Sequence, residues 1–118
     1  MIDLCEKYET RICSALNFLA SSKKTITYKG MVDFCLIPSP LRIRKLSEFL
    51  SQLMVNEIKS NLPIRSSLVV SKNPDINGMK IPSKHFFEIA KFYNIYSGPS
   101  NGIKAIQFHK KIINEVYR

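Results

Sequence analysis

Residues 67–82, SLVVSKNPDINGMKIP, interrupt a chain that is otherwise patterned for helices. The run ending in Val69 and Val70 is rich in β-branched residues and reads as a strand over 64–71. Asn73-Pro74 opens a turn, and Asn77-Gly78 supplies the positive φ angles that a tight reversal needs. Residues 79–81 then form a short returning strand that Pro82 ends. A lone two-stranded hairpin is marginal in water, so the helices around it must hold it in place. Lys72 and Lys80 stand on its shoulders, which raises the question of what it touches.

The helical segments follow from spacing. Over residues 2–20, Leu4, Cys5, Tyr8, Ile12, Ala15, Leu16 and Leu19 recur at intervals of three and four and form one apolar stripe. Residues 25–27 form a very short extended piece, and Thr27 is the expected N-cap of a helix over 28–35. Pro38 and Pro40 stop it, since each disfavours helix in the residue before it. Ser39 is then the expected cap of a longer helix, with Pro40 at its first position. Its buried stripe is Leu46, Phe49, Leu50, Leu53 and Ile58, with Leu41 or Ile43 at its mouth. After the hairpin, Ser83 caps a helix over 84–95 whose Phe86, Phe87, Ile89, Ala90 and Tyr93 point mostly inward. A last helix over 103–116 carries Ile103, Ile106, Ile112, Ile113 and Val116 inside, with Lys104, Lys110 and Lys111 outside.

This order of elements predicts an α+β, mostly helical fold: a winged helix-turn-helix with a β-hairpin wing and additional C-terminal helices. One domain spans 1–118, with an N-terminal helix in 1–24, the helix-turn-helix and wing in 25–82 and the C-terminal helices in 83–118. At 118 residues, 45% hydrophobic and 23% charged, the chain can bury a core without staples. Its first ten residues carry acids where a secretory signal would carry positive charge. No apolar run approaches the roughly 20 residues of a membrane span. A cytoplasmic protein with no membrane partner is expected.

Charge points to a partner. Eighteen Lys and Arg against nine Asp and Glu leave a formal +9, which draws a protein toward polyanions. Arg42, Arg44 and Lys45 crowd the first turns of the long helix, where the helix dipole favours acids. A nearby anion is expected to compensate them. In a helix-turn-helix the second helix enters the groove while a wing touches the flanking backbone. The expected nucleic-acid-binding residues are therefore Tyr28, Lys29, Arg42, Arg44, Lys45, Arg65, Lys72 and Lys80. Among the aromatic residues near the C-terminal helices, Tyr96, beside SGPSNG, is the one expected to remain free to stack on bases.

Chemistry of other kinds finds little support. The three cysteines, Cys5, Cys13 and Cys35, have no metal-ligand spacing, and their odd number speaks against a disulfide framework. His85 and His109 fall on separate predicted helices without a Cys, Asp or Glu at ligand spacing, and both are expected at the surface. Glu88 follows three residues after His85, a pairing that chance supplies easily. No glycine-rich phosphate loop is present. Binding without catalysis, metal or cofactor is expected.

The segment TITYKGMVDFCLIPSPLRIRKLSEFL resembles the start of the winged domain of alkylguanine transferases and alkyltransferase-like proteins. That family opens with a capping turn of the Thr-Tyr-Gly type, a short helix and a second helix rich in Arg and Ala. The resemblance extends to about Val70, just over a third of the chain. It implies a winged DNA-binding shape in which Arg42 or Arg44 probes DNA. The family's Pro-Cys-His-Arg-Val active-site strand is replaced here by LPIRSSLVV, so the resemblance implies no alkyl transfer. The expected function is a small basic protein that binds double-stranded DNA by occupancy, as a regulator or phage-like accessory factor. The alternatives are a protein-interaction or dimerisation module, pairing with a second copy or another protein through the final helix GIKAIQFHKKIINEVYR, and an RNA-binding protein.

Overall fold

The computed structural model describes residues 6–74 and 78–118; Leu4, Cys5 and the Asn77 half of the expected turn lie outside them. The order is α1 (Glu6–Ser22), β1 (Ile26–Thr27), α2 (Tyr28–Phe34), α3 (Arg42–Lys59), a 3₁₀ turn (Arg65–Leu68), β2 (Val69–Val70), α4 (Lys84–Phe92) and α5 (Ile103–Tyr117). The fold is α+β and mostly helical, with a small two-stranded parallel sheet. No described helix is long and apolar enough to cross a membrane.

Helix α1, described from Glu6 onward, buries Ile12, Ala15, Leu16 and Leu19. The Thr27 side chain accepts the Gly30 amide at 3.0 Å and caps α2 as its sequence predicts. Four helices end in the same way. Lys23, Leu36, Asn61 and Asn94 take left-handed backbone with φ of 55°, 57°, 55° and 61°. In each case the following amide reaches back to the carbonyl five residues earlier, from Lys24 to Leu19, Ile37 to Val32, Leu62 to Glu57 and Ile95 to Ala90, at 2.9–3.0 Å. The termination of α2 is thus a Schellman turn, and the prolines lie beyond it.

Helix α3 begins two residues later than its sequence pattern suggests. Its N-cap is Leu41, with φ 59° and ψ 39°, and no side chain caps it, so neither Ser39 nor Pro40 has the expected role. The reason is local. Arg42 Nε donates to Ile37 O at 2.8 Å and Lys45 Nζ to Pro38 O at 3.2 Å, which folds residues 37–41 back over the first turn. The buried face of α3 is Leu46, Leu50, Met54 and Glu57, with Phe49, Leu53 and Ile58 only partly covered.

The expected strand over 64–71 is mostly a 3₁₀ turn. Ser67 donates through N–H and Oγ to Ile64 O, at 3.1 and 2.6 Å, leaving Val69 and Val70 to pair. They pair with Ile26 and Thr27 in parallel, and both valines are buried, as strands deep in a core are. No strand occurs in 78–82 and the expected antiparallel partner is missing there. One backbone bond, Ser71 N–H to Ile81 O at 2.9 Å, closes the base of the loop. Pro82 follows without an amide to extend the pairing.

Two apolar clusters hold these parts together. The first gathers Ile12 and Leu16 of α1, Met31 and Val32 of α2, Leu46 of α3 and Leu68. The second gathers Met54, Phe86, Phe87, Tyr96, Phe108 and Ile112. Tyr96, expected outside, is buried: its ring stacks on Phe108 at 4.5 Å and its hydroxyl donates to Pro99 O at 2.7 Å. Gly98 makes room for it, since a Cβ there would lie 2.8 Å from the phenolic oxygen. Conversely Phe92 is 78% exposed and Ile103 is 66% exposed. His109, also expected outside, is buried with Nε2 2.8 Å from Ser67 O, and links α5 to the 3₁₀ turn.

Candidate nucleic-acid interface

The α2–turn–α3 unit carries five of the eight expected contact residues, Tyr28, Lys29, Arg42, Arg44 and Lys45, and the last four are cations. Asp33, near the end of α2, pairs with two of these cations. Lys29 Nζ reaches Asp33 Oδ2 and Arg42 Nη2 reaches Asp33 Oδ1, both at 2.8 Å. These two hydrogen bonds hold the Asp33 carboxyl below its ordinary value of 3.8. Lys45 is tied to Pro38 O, and Arg44 Nε lies 3.4 Å from Glu48 Oε1 with two-thirds of its side chain in solvent. The anion that the sequence requires for these cations is therefore supplied in part from inside the chain. Asp33 and the carbonyls of Ile37 and Pro38 provide it, from outside α3.

Tyr28, at the first position of α2, and the three residues outside this unit take no part in these pairs. Tyr28 is half-buried, and its hydroxyl accepts the Ser83 amide at 3.2 Å, which ties α2 to the start of α4. Arg65 closes an internal pair: Nε donates to Glu57 Oε2 at 2.8 Å, its own amide to Oε1 at 3.2 Å, and Nη1 to Asn17 Oδ1 at 3.0 Å. Burial pushes the Glu57 carboxyl above its ordinary value, with Arg65 opposing. Lys72 and Lys80 are exposed on the loop between β2 and α4.

Behind the cationic junction lies a feature that sequence reasoning missed. A pocket of about 150 Å³ opens between α3 and α4, with Tyr28, Ser47, Ser51, Ser66 and Ser83 among its walls. Ser51 and His85 also border the wider hollows outside it, where Arg44, Glu48 and Gln52 stand. Ser47 and Ser51, one turn apart on α3, are the only trace of this pocket in the sequence; Ser66 and Ser83 arrive by folding. His85 is exposed, with Nδ1 3.7 Å from Glu88 Oε1. Elsewhere, Phe18 and Phe34 flank a shallow groove between α1 and α2. Among the described residues, no three of His, Cys, Asp and Glu converge as a metal site would require. No protein-family model, no curated protein and no solved structure matches this chain.

Proposed function

We propose that the chain is a small DNA-binding protein of winged-helix type, which acts by occupancy and uses the α2–α3 junction as its main contact. The observation that carries this reading is the junction itself. Four cations, Lys29, Arg42, Arg44 and Lys45, stand against two carboxylates: Asp33 pairs with Lys29 and Arg42, Glu48 pairs with Arg44, and Lys45 has only the Pro38 carbonyl. Exposed ion pairs contribute at most about 1 kcal/mol, so a phosphate can take their place without unfolding anything. The start of α3 is then the groove-facing end, with Arg42 or Arg44 reading bases and Lys45 on the backbone. Lys72 and Lys80 flank a loop in the wing's position in chain order, and they add backbone contacts. The formal +9 supplies the long-range attraction.

A second reading, a protein-interaction module, rests on a different surface. Phe18, Phe34 and Leu36 are exposed by 62%, 65% and 68% along α1 and the end of α2. The final helix is less suited to that role, because its apolar residues Ala105, Ile106, Phe108, Ile112 and Val116 are buried within the chain.

Fluorescence anisotropy of a labelled random-sequence duplex, at low and near-physiological salt and beside single-stranded DNA and duplex RNA, separates these readings. The expected result is micromolar duplex binding that weakens with salt by about 0.9 in log–log slope per phosphate neutralised. Tighter binding to duplex RNA transfers the reading to RNA. Absence of binding at low salt transfers it to a protein partner.

A further inference from the structure

The pocket between α3 and α4 has the composition of a ligand site, and it stands independently of what the cationic junction binds. Ser66 is 5% exposed, lines the pocket, and its Oγ has no hydrogen-bond partner among the described residues. Native proteins seldom leave a buried hydroxyl unpaired. Beside it, Tyr28 Oη already accepts the Ser83 amide, so its proton remains to be donated. Ser83, the N-cap of the nine-residue α4 and a pocket-lining residue, makes no capping bond through its side chain, which leaves the first amides of that helix without its hydroxyl as acceptor. Helix dipole and hydroxyls therefore offer donors together. Among the described residues, no carboxylate lines the deep pocket; Glu48 borders only the outer hollow, where Arg44 pairs with it. The opposite wall is apolar, made by Leu50, Met54, Phe86 and Ile89. A void of about 150 Å³ matches roughly five waters at about 30 Å³ each, or one substituted ring.

We propose that this pocket binds a compact organic acid: a carboxylate set against Ser66, Tyr28 and the start of α4, on an apolar or aromatic body packed against Leu50, Met54, Phe86 and Ile89. An acceptor-rich anion fits the donors, and an apolar body fits the far wall. Inorganic anions satisfy only the first condition.

The test is an amide-resolved NMR titration of the full chain with sodium benzoate. Benzamide and inorganic phosphate serve as comparison probes at matched ionic strength. Saturable shifts are expected at Ser47, Ser51, Ser66, Lys84 and His85, with a Kd of about 1 mM or lower. Benzamide and phosphate should each bind at least about tenfold more weakly. Ser66→Ala should weaken benzoate about tenfold or more, the value of a hydrogen bond to a charged group, while the melting temperature stays level or rises because the unpaired hydroxyl is gone. Ser47→Phe, at the half-buried mouth, should abolish the shifts without touching the core. Equal binding of benzamide overturns the anion. Phosphate binding in benzoate's place overturns the apolar body. Scattered, non-saturating shifts, or an undiminished affinity in Ser66→Ala, overturn the site.

Discussion

Two guanidinium–carboxylate pairs in this molecule have the same length and opposite consequences. Arg42 meets Asp33 at 2.8 Å and Arg65 meets Glu57 at 2.8 Å. The arginines are similarly exposed, at 30% and 27%, but Asp33 is 50% exposed and Glu57 only 3%. Asp33 is accordingly held below the usual carboxylate range by its partners, while Glu57 is pushed above it by burial. Desolvation, not distance, decides what such a pair is for. The exposed pair can exchange its carboxylate for a phosphate. The buried pair cannot release either member without leaving a charge in the core, so it belongs to the fold.

The largest expected effect tests the buried side of this contrast. Arg65→Ala leaves Glu57 without Nε and should lower the unfolding free energy by about 3 kcal/mol in urea denaturation, within the range for a broken buried pair. Arg42→Ala should lower it by less than about 1 kcal/mol. A loss below about 1 kcal/mol for Arg65→Ala breaks the comparison, because Glu57 would then be coping unaided. In DNA binding the order reverses. Arg42→Ala and Arg44→Ala should each weaken duplex binding by about 1–3 kcal/mol, and at least one should relax sequence preference if it reads a base. Equal loss on every sequence assigns both to phosphates. The double change Lys72→Ala and Lys80→Ala should reduce the salt slope by up to about 1.8 and leave preference alone; an unchanged slope removes the loop from the contact.

Acid should separate the two regions again. His109 is buried and its protonation is disfavoured, so its folded pKa lies below 6.5. The unfolded chain then binds the extra proton first. Stability that His109 allows above pH 6.5 is lost as pH falls from there toward the folded value, with a slope of at most about 1.4 kcal/mol per pH unit. Glu57 has the opposite sign. Its raised pKa favours the folded state below 4.5, and that contribution fades as pH rises through the folded value. His109→Gln keeps a donor for Ser67 O and removes the titration. Urea midpoints at pH 7.5, 6.0 and 5.0 should fall for the wild type and stay flatter for the variant. Equal falls assign the acid sensitivity to another group.

Much of the helical frame was legible, because three- and four-residue spacing survives any tertiary arrangement. The same spacing also held clues that residue type concealed. Glu57 continues the stripe of Leu46, Leu50 and Met54, and His109 lies between Ile106 and Ile112 on theirs. A polar residue on an apolar stripe marks a buried hydrogen bond, and both prove to be buried and bonded. The sheet was not legible. Val69 and Val70 look alike whether they pair forward with residues 79–81 or backward with Ile26 and Thr27, and the choice rests on contacts distant in sequence. Of the candidate interface, the crowding of Arg42, Arg44 and Lys45 could be read from charge against the helix dipole, whereas the place of Lys29 beside Asp33 and Arg42 comes from the fold. Arg65 could not be told from these cations, because burial of its partner is a tertiary property. Ser66 carried no signal at all.

The smallest effect isolates the junction's geometry from its charge. Leu36 sits between α2 and α3 with φ 57° and its side chain 68% exposed, so it endures the left-handed conformation for little packing in return. A left-handed residue with a Cβ is strained by about 1–2 kcal/mol. Glycine removes that strain but loses about 0.5–1 kcal/mol through the greater freedom of the unfolded chain. Leu36→Gly should therefore stabilise the fold by about 0.5 kcal/mol, read as a small rise in urea midpoint. Its Schellman bonds run through backbone alone, from Leu36 N to Asp33 O and Ile37 N to Val32 O, so Asp33 and Arg42 should keep their places. Duplex affinity should not change where Arg42→Ala weakens it. If affinity falls in Leu36→Gly with stability intact, the leucine itself touches the ligand, and the contact at this junction is apolar as well as ionic.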